Sequence, residues 1–167
     1  MKKIILLVAV AVMAVTAVNA QEFMKGDWAV NAGISLDETD PLIFGGSVEY
    51  GLIDNVFNLN GVTFGLGAEL GYFSKSVVGV KTSGTAIGIR APFHYSPVEK
   101  LDLYTAPAIL NVRGKAKYMG NSITVTDTEF GWTIIGARYL FSPNIGAFLE
   151  LGSNTALGIA AGVSFRL

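Results

Sequence analysis

The last twelve residues of the chain, Ala156 to Leu167, alternate without a break between apolar and small or polar side chains. The apolar set is Leu157, Ile159, Ala161, Val163, Phe165 and Leu167, and the set between them is Gly158, Ala160, Gly162, Ser164 and Arg166. Because successive side chains of a strand point to opposite faces, this pattern predicts a β-strand with one apolar face. Such a strand is typical of a closed transmembrane barrel, where one face meets lipid and the other meets the lumen.

The N-terminal residues have the organisation of a secretory signal peptide. Lys2 and Lys3 precede an apolar run over residues 4–18, and the small residue Ala20 completes a cleavage site before Gln21. The run is short for a transmembrane helix, which disfavours the alternative of an N-terminal membrane anchor. We therefore expect a cleavable signal peptide over residues 1–20.

Composition narrows the class of the remaining domain, residues 21–167. The chain is 51% hydrophobic with a mean hydropathy of +0.48, yet no apolar stretch after the signal approaches 18 residues, which argues against membrane helices. A closed barrel also satisfies its own backbone in lipid. Without Lys2 and Lys3, the remaining domain has 10 Lys and Arg and 13 Asp and Glu, which gives it a small negative net charge. A nucleic-acid partner would favour a basic surface, so the charge does not indicate one. With no cysteine and one histidine, we predict no disulfide, metal or cofactor.

Eight alternating segments, most of them 10 to 12 residues long, are separated by turn residues. They cover about 27–36, 42–53, 62–73, 84–95, 101–113, 130–141, 145–153 and 156–167. This length suits tilted strands that cross a bilayer, and an even number returns the chain to the side that it left. The fold class predicted is all-β: one eight-stranded antiparallel up-and-down transmembrane β-barrel.

The phase of the charged residues indicates which face of the barrel meets lipid. Mid-strand charge lies opposite the apolar face, so the apolar face should point outward, unlike in a lipocalin-like barrel. The residues predicted to point inward include all four arginines, Arg90, Arg113, Arg138 and Arg166. On segment 101–113 we assign Tyr104, Leu110 and Val112 to the outward face and Thr105, Asn111 and Arg113 to the inward face.

Five inward charges are predicted to form an ion network within the lumen. They are Glu49, Glu69, Arg90, Arg138 and Glu150. An eight-stranded barrel is only wide enough for side chains to fill it, and unpaired buried charges are costly. Across the turn at residues 142–144, Arg138 and Glu150 should be diagonal neighbours within reach of each other. The network is interpreted as a filled core, with a gate that opens when pairs switch as the alternative.

The signal peptide, the eight segments and the ending Gly-Val-Ser-Phe-Arg-Leu resemble the small eight-stranded outer-membrane barrels, including the OmpA transmembrane domain and OmpX-like proteins. The resemblance implies an outer-membrane location, contact with outer-membrane lipid, and help from periplasmic chaperones and the barrel-assembly machinery. That machinery reads a C-terminal strand that usually ends in an aromatic residue. Here Phe165 and Leu167 are the corresponding residues, with the aromatic ring on the same face.

Three functions remain open at this point. We favour a structural or surface-interaction protein without catalysis. Of its two long outer connections, 74–83 and 114–129, the second is the best candidate for external contacts. The alternative is a narrow gated pore that passes small solutes or ions. A lipid-modifying barrel enzyme is least favoured: His94 and Ser96 resemble the His-x-Ser of the lipid A deacylases, but they lie at the periplasmic end. The external ligand is not predicted.

Overall fold

The structure is a computed structural model that describes residues 23–36, 41–77, 80–119 and 121–167. These residues form one antiparallel sheet of nine strands. The strands are β1 (Trp28–Ser35), β2 (Phe44–Asp54), β3 (Val62–Val77), β4 (Val80–Arg90), β5 (Phe93–Val98), β6 (Leu101–Tyr118), β7 (Asn121–Leu140), β8 (Ile145–Ser153) and β9 (Ile159–Arg166). A single 3-10 turn, Val56–Asn58, lies between β2 and β3.

The sheet closes on itself into a ring of eight positions. β1 pairs with both β2 and β9, so neither end of the sheet is free. β4 and β5 occupy one position, because both lie between β3 and β6. Their interruption falls at Ala91 and Pro92, where the proline nitrogen has no hydrogen to donate to the ladder. The predicted eight-stranded antiparallel barrel is therefore confirmed.

The barrel carries its apolar side chains on the outside and its charges on the inside. Large apolar side chains are exposed on every face of the ring, for example Leu66, Ile89 and Ile109, whereas Arg90 and Arg138 are only 2% and 0% exposed. Aromatic rings pair on the outside near the end that carries both termini. These pairs are Trp28 with Tyr50 and Phe64 with Phe93. This arrangement suits a lipid exterior, whose water interfaces favour aromatic side chains.

Strand β6 has the opposite phase from the one predicted. Tyr104 and Leu110 are buried in the lumen, and Arg113 is exposed on the outward face with Asn111. Tyr104 finds a polar partner inside, while outward Thr105 accepts a hydrogen bond of 2.7 Å from the Trp132 indole. The prediction that all four arginines point inward was wrong for Arg113.

Two of the predicted outer loops are strand extensions. The β3–β4 ladder continues to Val77 opposite Val80, and the β6–β7 ladder continues to Tyr118 opposite Asn121. β7 begins to pair with β8 only at Trp132, so residues 121–131 belong to a four-stranded sheet that projects beyond the closed ring. Segments 74–83 and 114–129 are therefore mostly paired backbone.

Some sequence-based expectations concern residues that are not described. The signal peptide over residues 1–20 and its cleavage before Gln21 lie outside the described residues. Among the residues that the structure does describe, no helix has the length and apolar character needed to span a membrane.

A charge introduced on the outward face at the middle of the barrel should destabilise it. Ile89 is 61% exposed and lies between outward Ala68 and Ile109 in the register. We expect Ile89→Arg to lower the free energy of unfolding in lipid vesicles by about 2–4 kcal/mol, measured by urea titration, because the cation would face lipid. The control Ser74→Arg lies on the projecting part of the same face and should cost little. Equal losses would contradict a lipid-facing exterior.

Candidate functional site in the barrel lumen

Six charged side chains meet inside the barrel and are here named the luminal cluster. They are Glu49, Glu69, Arg90, Asp102, Arg138 and Glu150, and all are buried. They come from β2, β3, β4, β6, β7 and β8, since each occupies an inward position of its strand. The five residues predicted from the sequence are brought together, and Asp102 is the member that was not predicted.

Arg90 is the first of two hubs in the luminal cluster. Its Nε lies 3.2 Å from Glu49 Oε1, its Nη1 3.4 Å from Glu69 Oε2, and its Nη2 3.1 Å from Glu150 Oε1. The same Nη2 donates a 3.3 Å hydrogen bond to the Thr133 hydroxyl. One guanidinium therefore joins β4 to β2, β3, β7 and β8.

Arg138 is the second hub and lies nearer the end that carries the termini. Its Nη2 is 2.7 Å from Glu49 Oε2, its Nη1 is 2.6 Å from Asp102 Oδ2, and its Nε donates to Asn31 Oδ1 at 3.4 Å. Glu49 thus receives both arginines, one on each oxygen, and links the two hubs. The contact with Arg138 is a charge-assisted hydrogen bond, which is stronger than a neutral one, whereas the contact with Arg90 is an ion pair without a hydrogen bond.

Arg138 and Glu150 are neighbours as predicted, but they bond to other partners and not to each other. The two residues are diagonal neighbours, because Arg138 pairs with Phe148 and Glu150 lies two residues further along β8. Arg138 bonds to Glu49 and Asp102 instead, while Glu150 accepts from Arg90 and from the Tyr104 hydroxyl. Partner choice depends on distances across the lumen, which the pairing of adjacent strands alone does not define.

Tyr104 fills the centre of the luminal cluster. Its hydroxyl donates to Glu150 Oε1 at 2.8 Å, and its ring centroid lies 5.7 Å from the guanidinium carbon of Arg90 and 5.0 Å from that of Arg138. Such contacts between cations and ring faces are attractive. Gly136 lies directly across from Tyr104, and a Cβ there would overlap the ring. The phase error on β6 hid both Tyr104 and Asp102 from the sequence-based prediction.

Below the luminal cluster, the side chain of Phe23, the first residue that the structure describes, is buried in the lumen. Its side chain is 2% exposed, its ring lies 4.1 Å from the His94 ring, and it also meets the guanidinium groups of Arg138 and Arg166. No alternation marks Phe23, because it precedes β1, and sequence reasoning missed it.

His94 is held by carboxylates. Its Nδ1 lies 3.0 Å from Asp102 Oδ2, and its Nε2 lies 3.7 Å from Glu49 Oε2. Both ring nitrogens therefore face carboxylates of the luminal cluster, while Ser96 is buried within β5. This geometry gives the His-x-Ser pair a structural explanation.

The lumen offers little space at the level of the luminal cluster. A cavity beside Ser47, Glu69 and Arg90 has a volume of about 10 Å³, which is room for one water molecule. A larger cavity of about 160 Å³, lined by Ile43, Phe73 and other residues, lies towards the projecting hairpins. The cluster can therefore tie the strands together and obstruct the passage between the two ends.

At the last strand, Phe165 points outward with 40% exposure. The amide and carbonyl of Leu167 each make a 3.0 Å backbone hydrogen bond with Trp28, which closes the ring at the termini. Their reading by the assembly machinery stays a prediction.

Removing one hub should leave carboxylates buried without a partner. We expect Arg138→Met to lower the free energy of unfolding by about 3–5 kcal/mol, because breaking a buried ion pair strands the remaining charges. Lys25→Met, which removes an exposed cation outside the strands, should change the free energy of unfolding by no more than about 0.5 kcal/mol. Urea titration of both variants in vesicles measures this, and similar losses would argue against the luminal cluster as a stabilising element.

Solved structures with the same fold were found, although no protein-family model and no curated protein matches the sequence. The N-terminal barrel of OprF from Pseudomonas aeruginosa superposes with a TM-score of 0.62 at 18% identity, covering 86% of this chain and 98% of that one. Ail, the attachment invasion locus protein of Yersinia pestis, gives 0.58 at 13%, covering 86% and 100%. Neisserial surface protein A gives 0.51 at 16%, covering 84% and 94%. With its closed ring and inverted polarity, the chain has the fold of the small eight-stranded outer-membrane β-barrels.

Proposed function

We propose that this protein is exported to the outer membrane, where its barrel is a lipid-embedded support for the projecting hairpins and has no catalytic role. Its function would then be structural or would lie in contacts made at the cell surface. The fold and the apolar exterior support the location. Export would use the signal peptide over residues 1–20. Insertion would use periplasmic chaperones and the barrel-assembly machinery, with Phe165 and Leu167 as the assembly signal.

The filled lumen is the observation that carries this proposal. Arg90 and Arg138 between them contact four carboxylates, and Phe23 lies beneath them. These buried side chains lie across the path that a solute would take through the lumen. A permanent channel would instead need a lumen wide enough for water along its length.

The gated pore is the alternative that the same side chains would serve. Arg90 faces Glu49, Glu69 and Glu150 at similar distances of 3.1–3.4 Å, so an exchange of partners requires only small movements of one side chain. Conductance measurements separate this function from the structural one.

In planar bilayers, the wild-type barrel should give no stepwise conductance. Insertion is checked independently by flotation with the vesicles used for fusion and by a mobility shift on gels with and without boiling. We expect Arg138→Met to introduce conductance, because it opens the floor of the luminal cluster, and Arg113→Met to stay silent. Stable steps from inserted wild-type protein would overturn the structural proposal in favour of the pore.

A further inference from the structure

The outward face of β3, β4, β6 and β7 changes from apolar to basic along its length. Residues at opposite register positions form rows across these four strands. The lower rows are Ala68, Ile89, Ile109, Phe130 and then Leu70, Ile87, Asn111, Thr128. The rows above them are Tyr72, Thr85, Arg113, Thr126, then Ser74, Ser83, Lys115, Thr124, and then Ser76, Lys81, Lys117, Ser122.

The upper three rows contain four cations and no carboxylate, and they are here named the basic face. The cations are Lys81, Arg113, Lys115 and Lys117. Asp127 and Glu129 on β7 point to the other side of the sheet, because they pair with inward Val112 and Leu110. Within the described part of the chain, no ion pair involves any of the four cations. Their charge is therefore available to an outside partner.

The spacing of the cations favours a partner with more than one negative group. Lys81 lies directly opposite Lys117 in the register. The Cβ atoms of residues in such a pair are about 5 Å apart, and two like charges in this arrangement repel each other. Arg113 and Lys115 follow on β6 at intervals of about 7 Å. An anion lying across these positions would relieve the repulsion.

The position of the basic face favours a lipid as its partner. It points in the same direction as the apolar band below it, and the Arg113 row begins about 7 Å, two residues, above the row of Ile87. Tyr72 shares the Arg113 row, and tyrosine favours the interface between lipid and water. Under the proposed membrane location, this continuity brings the cations to the level of the headgroups in the surrounding leaflet. A polysaccharide in free solution would not need this continuity with the apolar band.

We propose that the basic face binds the phosphate groups of phosphorylated lipid in the outer leaflet beside the barrel. The inference rests on the proposed membrane location. Arg113 supplies a planar guanidinium that can bond two phosphate oxygens at once, and the lysines act as point charges. The hydroxyls of Thr85, Thr124 and Thr126 border the cations in the register and supply further donors.

Native mass spectrometry of the detergent-solubilised barrel with lipid A, and with lipid A stripped of its phosphates, tests this proposal. The variant Arg113→Gln/Lys115→Gln should bind lipid A roughly 30-fold more weakly. Each lost cation is expected to weaken binding a little over fivefold, and the two factors multiply. The control Lys25→Gln/Lys75→Gln removes the same charge, but Lys25 precedes β1 and Lys75 lies on the inward face of β3. It should bind as the wild type does, and the dephosphorylated lipid should bind weakly to all.

A second variant adds charge without removing a cation. Thr124→Glu/Thr126→Glu places carboxylates opposite Lys115 and Arg113 and should weaken lipid A binding as well. The proposal is overturned if both variants bind lipid A as tightly as the wild type does. It is also overturned if the wild type binds dephosphorylated lipid A as tightly as lipid A, because apolar contacts alone would then hold the lipid. A third outcome would assign the basic face to a polysaccharide and overturn the proposal. In that outcome, Arg113→Gln/Lys115→Gln weakens the binding of heparin but not the binding of lipid A.

The mobility shift on boiling shows that each variant is folded. Failure of the membrane proposal would appear separately, as wild-type protein that does not float with vesicles.

Discussion

The requirement that every backbone amide and carbonyl find a partner inside lipid is the constraint from which the rest of this structure follows. An open sheet cannot meet it, so β1 must pair with β9, and the ring closes with eight positions. A ring of this size leaves an interior that side chains must fill. Because the outside is apolar, the polar residues of the chain are gathered within, and the arginines there need carboxylates. The luminal cluster is thus a consequence of closure.

The fold was largely predictable because seven of the eight positions have one face that is clearly apolar. On β6 both faces are mixed: its inward column includes Tyr104 and Leu110, and its outward column includes Thr105 and Arg113. A period of two shows that a segment is a strand, but it does not show which face is inside when both contain apolar residues. The interior accepts a tyrosine because its ring fits between guanidinium groups and its hydroxyl has a carboxylate to bond.

The components of the site were more predictable than their partners. Five of the six charged residues were identified because the alternation of side chains along a single strand shows which of them point inward. Which carboxylate meets which arginine depends on contacts across the lumen, and so Arg138 bonds to Asp102 rather than to Glu150. The projecting hairpins were predicted as loops for a related reason. Their strands are polar on the outward face and exposed on both faces, so the alternation that marks a buried face is weak there.

The position of Phe23 has a consequence for the order in which the molecule is completed. Its neighbours His94, Arg138 and Arg166 belong to β5, β7 and β9, and the first and last of these residues lie 72 positions apart in the chain. The pocket that receives the ring therefore exists only after the circle of strands is joined. Although Phe23 precedes β1, its native contacts therefore depend on the strand at the opposite end of the barrel sequence, β9.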